Sequence, residues 1–420
     1  MTSMEPTVRM QRHGDIAVLT IDNPPVNALS HSVRVGLLEI LPRVEADDGV
    51  QAILLVCAGS TFSAGADVRE FGRPPRDPIM AVAMQALDAS KKLTVAAIHG
   101  QALGGGLETA LVFDYRCALS SAKVGLPEIK LGLFPGGGGT QRLPRLIGLQ
   151  AATDLILTGD AIGAAQAKKL GIIDELLEGN LLEGAVAYTR RLVAGGAAHR
   201  RLSAASVVVP EGFSFAERRA KAVRDTKGLP AAAAAVDAIQ ASTDRSFDEG
   251  LAEERRLFMI VRGSHEAAAM RHLFAAEREV TKIPNVPRDT SARDITTAAV
   301  IGAGTMGSGI AIAFANAGIS VTLIETTDAA LERGWSNIKS TYGSLVERGR
   351  MKAEERDARL ARVVRSLALE DARSADLIVE CAFEDMAVKQ GLFAQLGGLA
   401  KAGAVCTGTM TVVPSIVIAL

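Results

Sequence analysis

The feature that most limits how this chain can fold is AVIGAGTMGSGIA, residues 299–311. Gly302, Gly304 and Gly307 form a G-x-G-x-x-G that follows an apolar strand pattern and opens an apolar helix pattern. A second strand pattern, ISVTLIE, ends in Glu325, 23 residues after Gly302. A lone glycine match says little, but this order is the context that a dinucleotide needs. Glycines permit the turn and the close approach of a pyrophosphate, the helix start binds its charge, and the acid receives the ribose hydroxyls. The segment therefore predicts a βαβ unit over a parallel sheet. Gly302, Gly304, Thr305, Met306 and Gly307 would meet the phosphates, and Glu325 would meet the ribose. A carboxylate there repels a 2′-phosphate, so NAD is preferred to NADP.

The remainder needs more than one domain. The chain has 420 residues, 48% hydrophobic and 22% charged, with a net charge of −1. That balance allows sizeable cores and argues against a general nucleic-acid surface, which would be basic. The four cysteines show no metal-ligand spacing, and no metal site is expected. No run of about 18 apolar residues suggests a membrane span, and the N-terminus lacks the apolar stretch of a secretory signal. DIAVLTID, VQAILLVCA and TVAAIHG read as strands. HSVRVGLLEIL, MAVAMQALDASKKL and GGGLETALVFD read as helices, giving an α/β pattern. Beyond residue 140 the pattern turns helical. Between about 190 and 280 no strand pattern appears, and the charges there read as solvated helix faces. The alanine run 231–235 reads as a helix former. TKIPNVPRDTSARDIT reads as a linker.

Three further segments carry chemistry: TFSAGADVREF (61–71), HGQALGGGLETAL (99–111) and KVGLPEIKLGLFPGGGGTQRLPRLIG (123–148). Three consecutive glycines disfavour a helix interior by about 1 kcal/mol each relative to alanine. They suit a place where backbone must approach something closely. PGGGGT (135–140) is not a phosphate loop, since no GK[ST] follows; it reads as a flexible start to a helix, with lining of the pocket as the alternative. In this order and spacing the three segments resemble the crotonase, or enoyl-CoA hydratase/isomerase, superfamily over about residues 10–190. The resemblance implies that the N–H groups of Ala66 and Gly105 stabilise a thioester enolate oxygen. It also implies that Ala64, Gly65, Asp67 and Gly104, with NPPVNALS (23–30), line the CoA thioester site; Asp67 alternatively caps a turn. Glu108 and Glu128, 20 residues apart, are then the catalytic pair. Glu108 mainly activates water and Glu128 transfers a proton at carbon 2, unless both hold one water. Having both acids favours hydration. Glu128 alone could serve double-bond isomerisation as a second capacity.

SADLIVECAFEDMAVKQGLFAQL (374–396) resembles the NAD domain of L-3-hydroxyacyl-CoA dehydrogenases, which brings Glu384 and Lys389 towards the cofactor. The order of parts resembles the type 1 multifunctional β-oxidation enzymes. The expected architecture is α/β. A crotonase (spiral ββα) domain spans 1–190, a helical segment covers it over 191–280, and a linker occupies 281–295. A Rossmann domain that ends incomplete spans 296–420. The family's Thr-Asn-Thr-Ser reads here Thr407, Gly408, Thr409, Met410, and the six histidines all precede Gly302. Hydration of trans-2-enoyl-CoA with little dehydrogenation by this chain alone is therefore expected. A non-catalytic NAD- or acyl-CoA-binding module, or an assembly subunit, is the alternative. The expected state is a monomer or a subunit of a β-oxidation complex. Glycine, alanine and arginine usage favours a bacterial, cytoplasmic setting, with a peroxisomal one as the alternative; the final IAL is not an SKL-type signal.

Overall fold

The structure, a computed structural model, describes residues 6–67, 70, 74, 76–280, 283–287 and 289–409, and the backbone of 417–419. Met410 of the divergent Thr-Gly-Thr-Met stretch and the C-terminal Leu420 lie outside the described residues. The chain forms two compact units, one up to Pro284 and one from Asn285.

The first unit begins with β1 (Val8–His13) and β2 (Ile16–Ile21), antiparallel, then α1 (His31–Glu45) and β3 (Ala52–Cys57). α2 (Met80–Asp88), β4 (Leu93–Ile98), β5 (Gln101–Leu103), α3 (Gly105–Ala110), β6 (Tyr115–Leu119) and β7 (Lys123–Gly125) follow. A 3₁₀ turn at Pro127–Leu131 leads to α4 (Gly139–Ile147), α5 (Leu149–Thr158), β8 (Ile162–Gly163), α6 (Ala164–Leu170), β9 (Glu175–Leu177) and α7 (Leu181–Ala194). Six strands order as β1-β2-β3-β4-β6-β9, and β5-β7-β8 make a small second sheet. The chain leaves the first sheet after β4 and returns at β6, which winds the two sheets into a spiral. β3 and β4 are buried at every residue, as central parallel strands covered on both faces should be. The side-chain period of two divides them between layers: Ile53 and Leu55 join the main core, while Leu54 and Val56 pack with Tyr188 and Val186 of α7.

The sequence pattern departs from this in three places. The helix expected from GGGLETALVFD is only six residues, Gly105–Ala110. α2 stops at Asp88, before the ASKKL residues that the pattern also reads as helical. The region beyond 140 is not purely helical, because β8 and β9 each add a strand to a sheet. Both are too short, at two and three residues, to show a period.

α8 (Phe215–Asp225), α9 (Pro230–Asp244), α10 (Phe247–Arg262) and α11 (His265–Val280) complete this unit. α9 packs against α4, α8 and α10, with Ala231, Ala232, Ala235 and Ala238 fully buried. The alanine run is thus a close-packing surface as well as a helix former. α11 packs against the 3₁₀ turn.

The second unit runs β10 (Thr297–Ile301), α12 (Thr305–Asn316), β11 (Ser320–Ile324), α13 (Asp328–Glu347), α14 (Ala353–Leu360) and β12 (Val363–Ser366). β13 (Leu377–Glu380), α15 (Met386–Leu399), β14 (Val405–Gly408) and β15 (Val417–Ala419) follow. The order is β12-β11-β10-β13-β14-β15, all parallel except β15. The strand order reverses between β10 and β13, the switch point at which such sheets receive ligands beyond their carboxyl ends.

Candidate active site

Residues 62–66 run beside β5. The Ser63 N–H donates to the Gln101 carbonyl at 3.0 Å and the Leu103 N–H to the Ser63 carbonyl at 2.9 Å. NPPVNALS is tied to the same segment: Ala64 N–H donates to Val26 O, Leu29 N–H to Gly65 O, and Ser63 Oγ to Asn27 O. Ala64 and Ala66 face solvent while Gly65 and Asp67 are buried. The Asp67 carbonyl accepts the Glu70 N–H at 2.9 Å. After β5 the backbone turns through Gly104 at φ +53°, a conformation that L side chains resist, and α3 starts at Gly105. A Cβ built on Gly105 would lie 3.4 Å from the Ala66 nitrogen, and one on Gly65 would lie 3.1 Å from the Gly105 nitrogen. The two N–H groups are neighbours. Neither donates to a backbone or side-chain acceptor among the described residues. Gly105 is a first helical residue, whose N–H has no partner within its helix.

Glu108 sits one turn into α3, only 4% exposed. Its Oε1 accepts the N–H of Gly137 at 2.7 Å and of Gly139 at 2.8 Å. Burial raises its pKa, and the two hydrogen bonds and the Arg142 charge oppose that rise. Glu128 rides on the 3₁₀ turn with Oε1 facing Gly104, where an added Cβ would come within 2.7 Å. Its Oε2 is buried without a hydrogen-bond partner. Burial and the neighbouring Glu108 charge hold its pKa well above the carboxylate range. Burial raises both acids, but the groups around them differ. Glu108 is solvated by backbone donors in the way an anion needs, and Glu128 is held in the way a neutral acid needs.

The sequence pattern missed a third acid. Glu254 of α10 is 1% exposed and accepts the N–H of Gly138 at 2.7 Å, the N–H of Thr140 at 3.1 Å and the Thr140 hydroxyl at 2.5 Å. The expectation that helical charges beyond residue 190 are all solvated fails here. A usable signal existed: Gly250, Glu254 and Val261 are the buried residues of α10, and helical spacing puts this glutamate on the apolar stripe. Of the two readings of PGGGGT, the glycine run lies against the acids as a lining would. A Cβ on Gly137 or Gly139 would stand 2.7 or 2.8 Å from a Glu108 oxygen, so backbone serves the acids where a side chain would collide.

In the second unit the three glycines divide their work. Gly302 turns at φ +100°. Gly304 has open space where a Cβ would point, and a Cβ on Gly307 would meet the Gly302 carbonyl at 1.7 Å. Gly304, Thr305 and Met306 are exposed beside the turn. Glu325 directly follows β11 and accepts the Ala303 N–H at 2.9 Å, which places its carboxylate at the glycine turn. Lys389 is brought to Glu384, 3.6 Å away. Its principal partner is one the sequence reading missed: fully buried Glu380, at 2.8 and 3.0 Å. Glu380 hides in the strand LIVE, where nothing local marks it. An added Cβ on Gly408 would lie 2.9 Å from Glu380 Oε2. No cluster of three metal-ligating side chains occurs among the described residues.

The first unit has the crotonase arrangement, and the second has the Rossmann arrangement of an NAD-binding domain. Residues 11–258 match the Enoyl-CoA hydratase/isomerase family, more than half of the chain, and the chain belongs to that family. Residues 297–417 match the 3-hydroxyacyl-CoA dehydrogenase, NAD binding domain family. The peroxisomal bifunctional enzyme of Danio rerio is 38% identical over 401 residues, covering 94% of this chain and 55% of that protein. The Homo sapiens protein of that name is 35% identical over 405 residues, 94% of this chain and 56% of its own. The peroxisomal fatty acid beta-oxidation multifunctional protein AIM1 of Arabidopsis thaliana is 33% identical over 401 residues, 91% and 55% of the two chains. The chain thus spans about half the length of the curated relatives it matches. No helix among the described residues is long and apolar enough to cross a membrane.

Proposed function

We propose that this chain hydrates trans-2-enoyl-CoA to L-3-hydroxyacyl-CoA in fatty acid β-oxidation. The observation that carries this reading is the pair of acids, Glu108 and Glu128, in differing surroundings beside two free N–H groups. The thioester oxygen accepts from Ala66 and Gly105, which stabilises the enolate as charge develops. Donors of this kind are worth roughly 3–4 kcal/mol each elsewhere. Ionised Glu108 takes a proton from water as the oxygen joins carbon 3. Protonated Glu128 gives its proton to carbon 2, so one water is added and the acids exchange roles until solvent resets them. Ala64, Gly65, Asp67 and Gly104 frame the thioester. In its ionised form Glu128, reached from the Gly104 side, also suits isomerisation, taking a proton from carbon 2 of a 3-enoyl-CoA and returning it at carbon 4, which makes that reaction a second capacity.

In the second unit, open Gly304 and the exposed start of α12 fit a pyrophosphate, and Glu325 fits a ribose. NAD bound there would supply a hydride acceptor. Gly302, Thr305, Met306 and Gly307 would hold it, with Glu384 and Lys389 nearby. The fitting setting is β-oxidation, cytoplasmic in a bacterial source or peroxisomal as in the named relatives, by a monomer or a subunit of a larger assembly.

A single cuvette of chain, crotonyl-CoA and NAD tests the proposal. Loss of the conjugated enoyl absorbance, abolished in a Glu108→Gln/Glu128→Gln double variant, is the expected result. NADH formation reads the second unit separately. Folded protein that leaves crotonyl-CoA untouched would sink hydration and leave a binding module.

A further inference from the structure

Glu254 is a buried acid that the proposed chemistry does not use. One short backbone run holds it and Glu108 by alternate N–H groups: Gly137 and Gly139 serve Glu108, while Gly138 and Thr140 serve Glu254. The two carboxylates are therefore mechanically linked through the run. They are also linked electrically. Glu254 faces Glu108 from α3, Glu128 from the 3₁₀ turn and Arg142 from α4. Asp88 at the end of α2 also acts on Arg142. On its own helix, Arg255 lies within reach of its charge.

We propose that Glu254 is a positioning residue for hydration: its carboxyl group fixes the glycine run that fixes Glu108, and its negative charge keeps the proton on Glu128. Burial and the Glu108 charge push Glu254 up to about 8, against its three hydrogen bonds. Its charge thus develops as the pH rises through neutrality, and from there it opposes loss of the Glu128 proton that carbon 2 needs. An acid supplied by the helical segment extends the pH range of a site built in the spiral. This rests on the hydration reading above.

The test is the pH profile of crotonyl-CoA hydration for the full chain and Glu254→Gln, with infrared titration of the protonated-carboxyl band in both. Without the Glu254 charge, Glu128 ionises sooner. The alkaline limb of kcat should move to lower pH by about half a unit or more, with KM changed less than about twofold. The infrared band should disappear at correspondingly lower pH. Glu254→Asp keeps the charge but withdraws it by one methylene, and should restore the limb at a reduced kcat. Thr140→Val leaves the acid but removes its hydroxyl partner, so Glu254 ionises later and the limb again moves down. That variant carries the test if Glu254→Gln does not fold. A uniform loss of kcat with an unmoved limb and band would overturn the inference and leave Glu254 a fold residue. A wild-type chain without hydration would sink the functional reading instead, and the infrared comparison would still decide this one.

Discussion

Glu108→Gln is the sharpest perturbation, because the structure dictates how the amide must sit. Oε1 of Glu108 accepts two backbone N–H groups, at 2.7 and 2.8 Å. A glutamine can keep both bonds only with its carbonyl oxygen on that side. The reverse orientation points an NH₂ at two donors and leaves them unpaired, at roughly 1–3 kcal/mol for each. The amide nitrogen is therefore fixed where Oε2 now stands. It cannot take a proton. Losing a general base typically costs about 10²–10⁴-fold in rate, and kcat for hydration should fall within that range. Stability should change little, since the volume and both Oε1 bonds survive. Glu108→Ala provides the contrast. It strips both N–H groups of their acceptor and should lower stability by about 2–4 kcal/mol as well as rate. The assay is crotonyl-CoA absorbance with thermal unfolding alongside, and 3-enoyl-CoA isomerisation measured in the same preparation. Isomerisation needs only Glu128 and should survive in part. A Glu108→Gln chain that hydrates within about tenfold of wild type would refute the base assignment. Equal loss of both activities would refute the division of labour.

Three other outcomes follow from the geometry. Gly104→Ala forces a side chain into φ +53° and within 2.7 Å of Glu128 Oε1. Displacing that acid by about 1 Å should cost on the order of 10²-fold in kcat, and an unchanged kcat in folded protein would show that Glu128 is not held by this contact. Lys389→Met leaves fully buried Glu380 without its cation. The loss should be roughly 3–5 kcal/mol in the unfolding of the second unit, and calorimetry showing an unmoved transition would refute it. Stability should also fall as pH rises. Glu108, Glu128 and Glu254 all have raised folded values, so the folded chain binds more protons than the unfolded chain above the ordinary carboxylate range. Their contribution is fully present below the unfolded value and is lost through the folded one, for Glu254 between 4.5 and about 8. Melting curves across that window should slope downward, and less steeply in Glu254→Gln.

What the sequence shows and hides follows from where each constraint acts. Gly302, Gly304 and Gly307 are legible because their constraint is local: a turn, an approach and a helix–strand contact all within six residues. Gly104–Gly106 and Glu108 are legible for the same reason, since one turn of helix fixes the acid's distance from the N–H of Gly105. Strands such as Ala52–Cys57 declare themselves by continuous apolar residues, whereas Glu175–Leu177 is a strand only because Tyr115–Leu119 lies beside it. Glu254 belongs to the hidden class. A glutamate in a helix is usually solvated, and burial is decided by donors far along the chain. Gly138 is 116 residues from Glu254.

That distance carries a structural argument about the helical segment. A surface cover alone would need only apolar residues at its contacts. Glu254 instead fills a pair of backbone donors that β-spiral residues leave open, and α11 packs against the turn that carries Glu128. The spiral therefore does not finish its own site. Gly138 and Thr140 need an acceptor that no residue of the first 194 supplies among the described residues. Placing a carboxylate there ties the order of the glycine run to the docking of α10. The segment is part of the active-site framework, and substitutions at Gly250 should reach the chemistry through it. A Cβ at Gly250 would press on Gln141 Oε1 at 2.2 Å, next to Thr140.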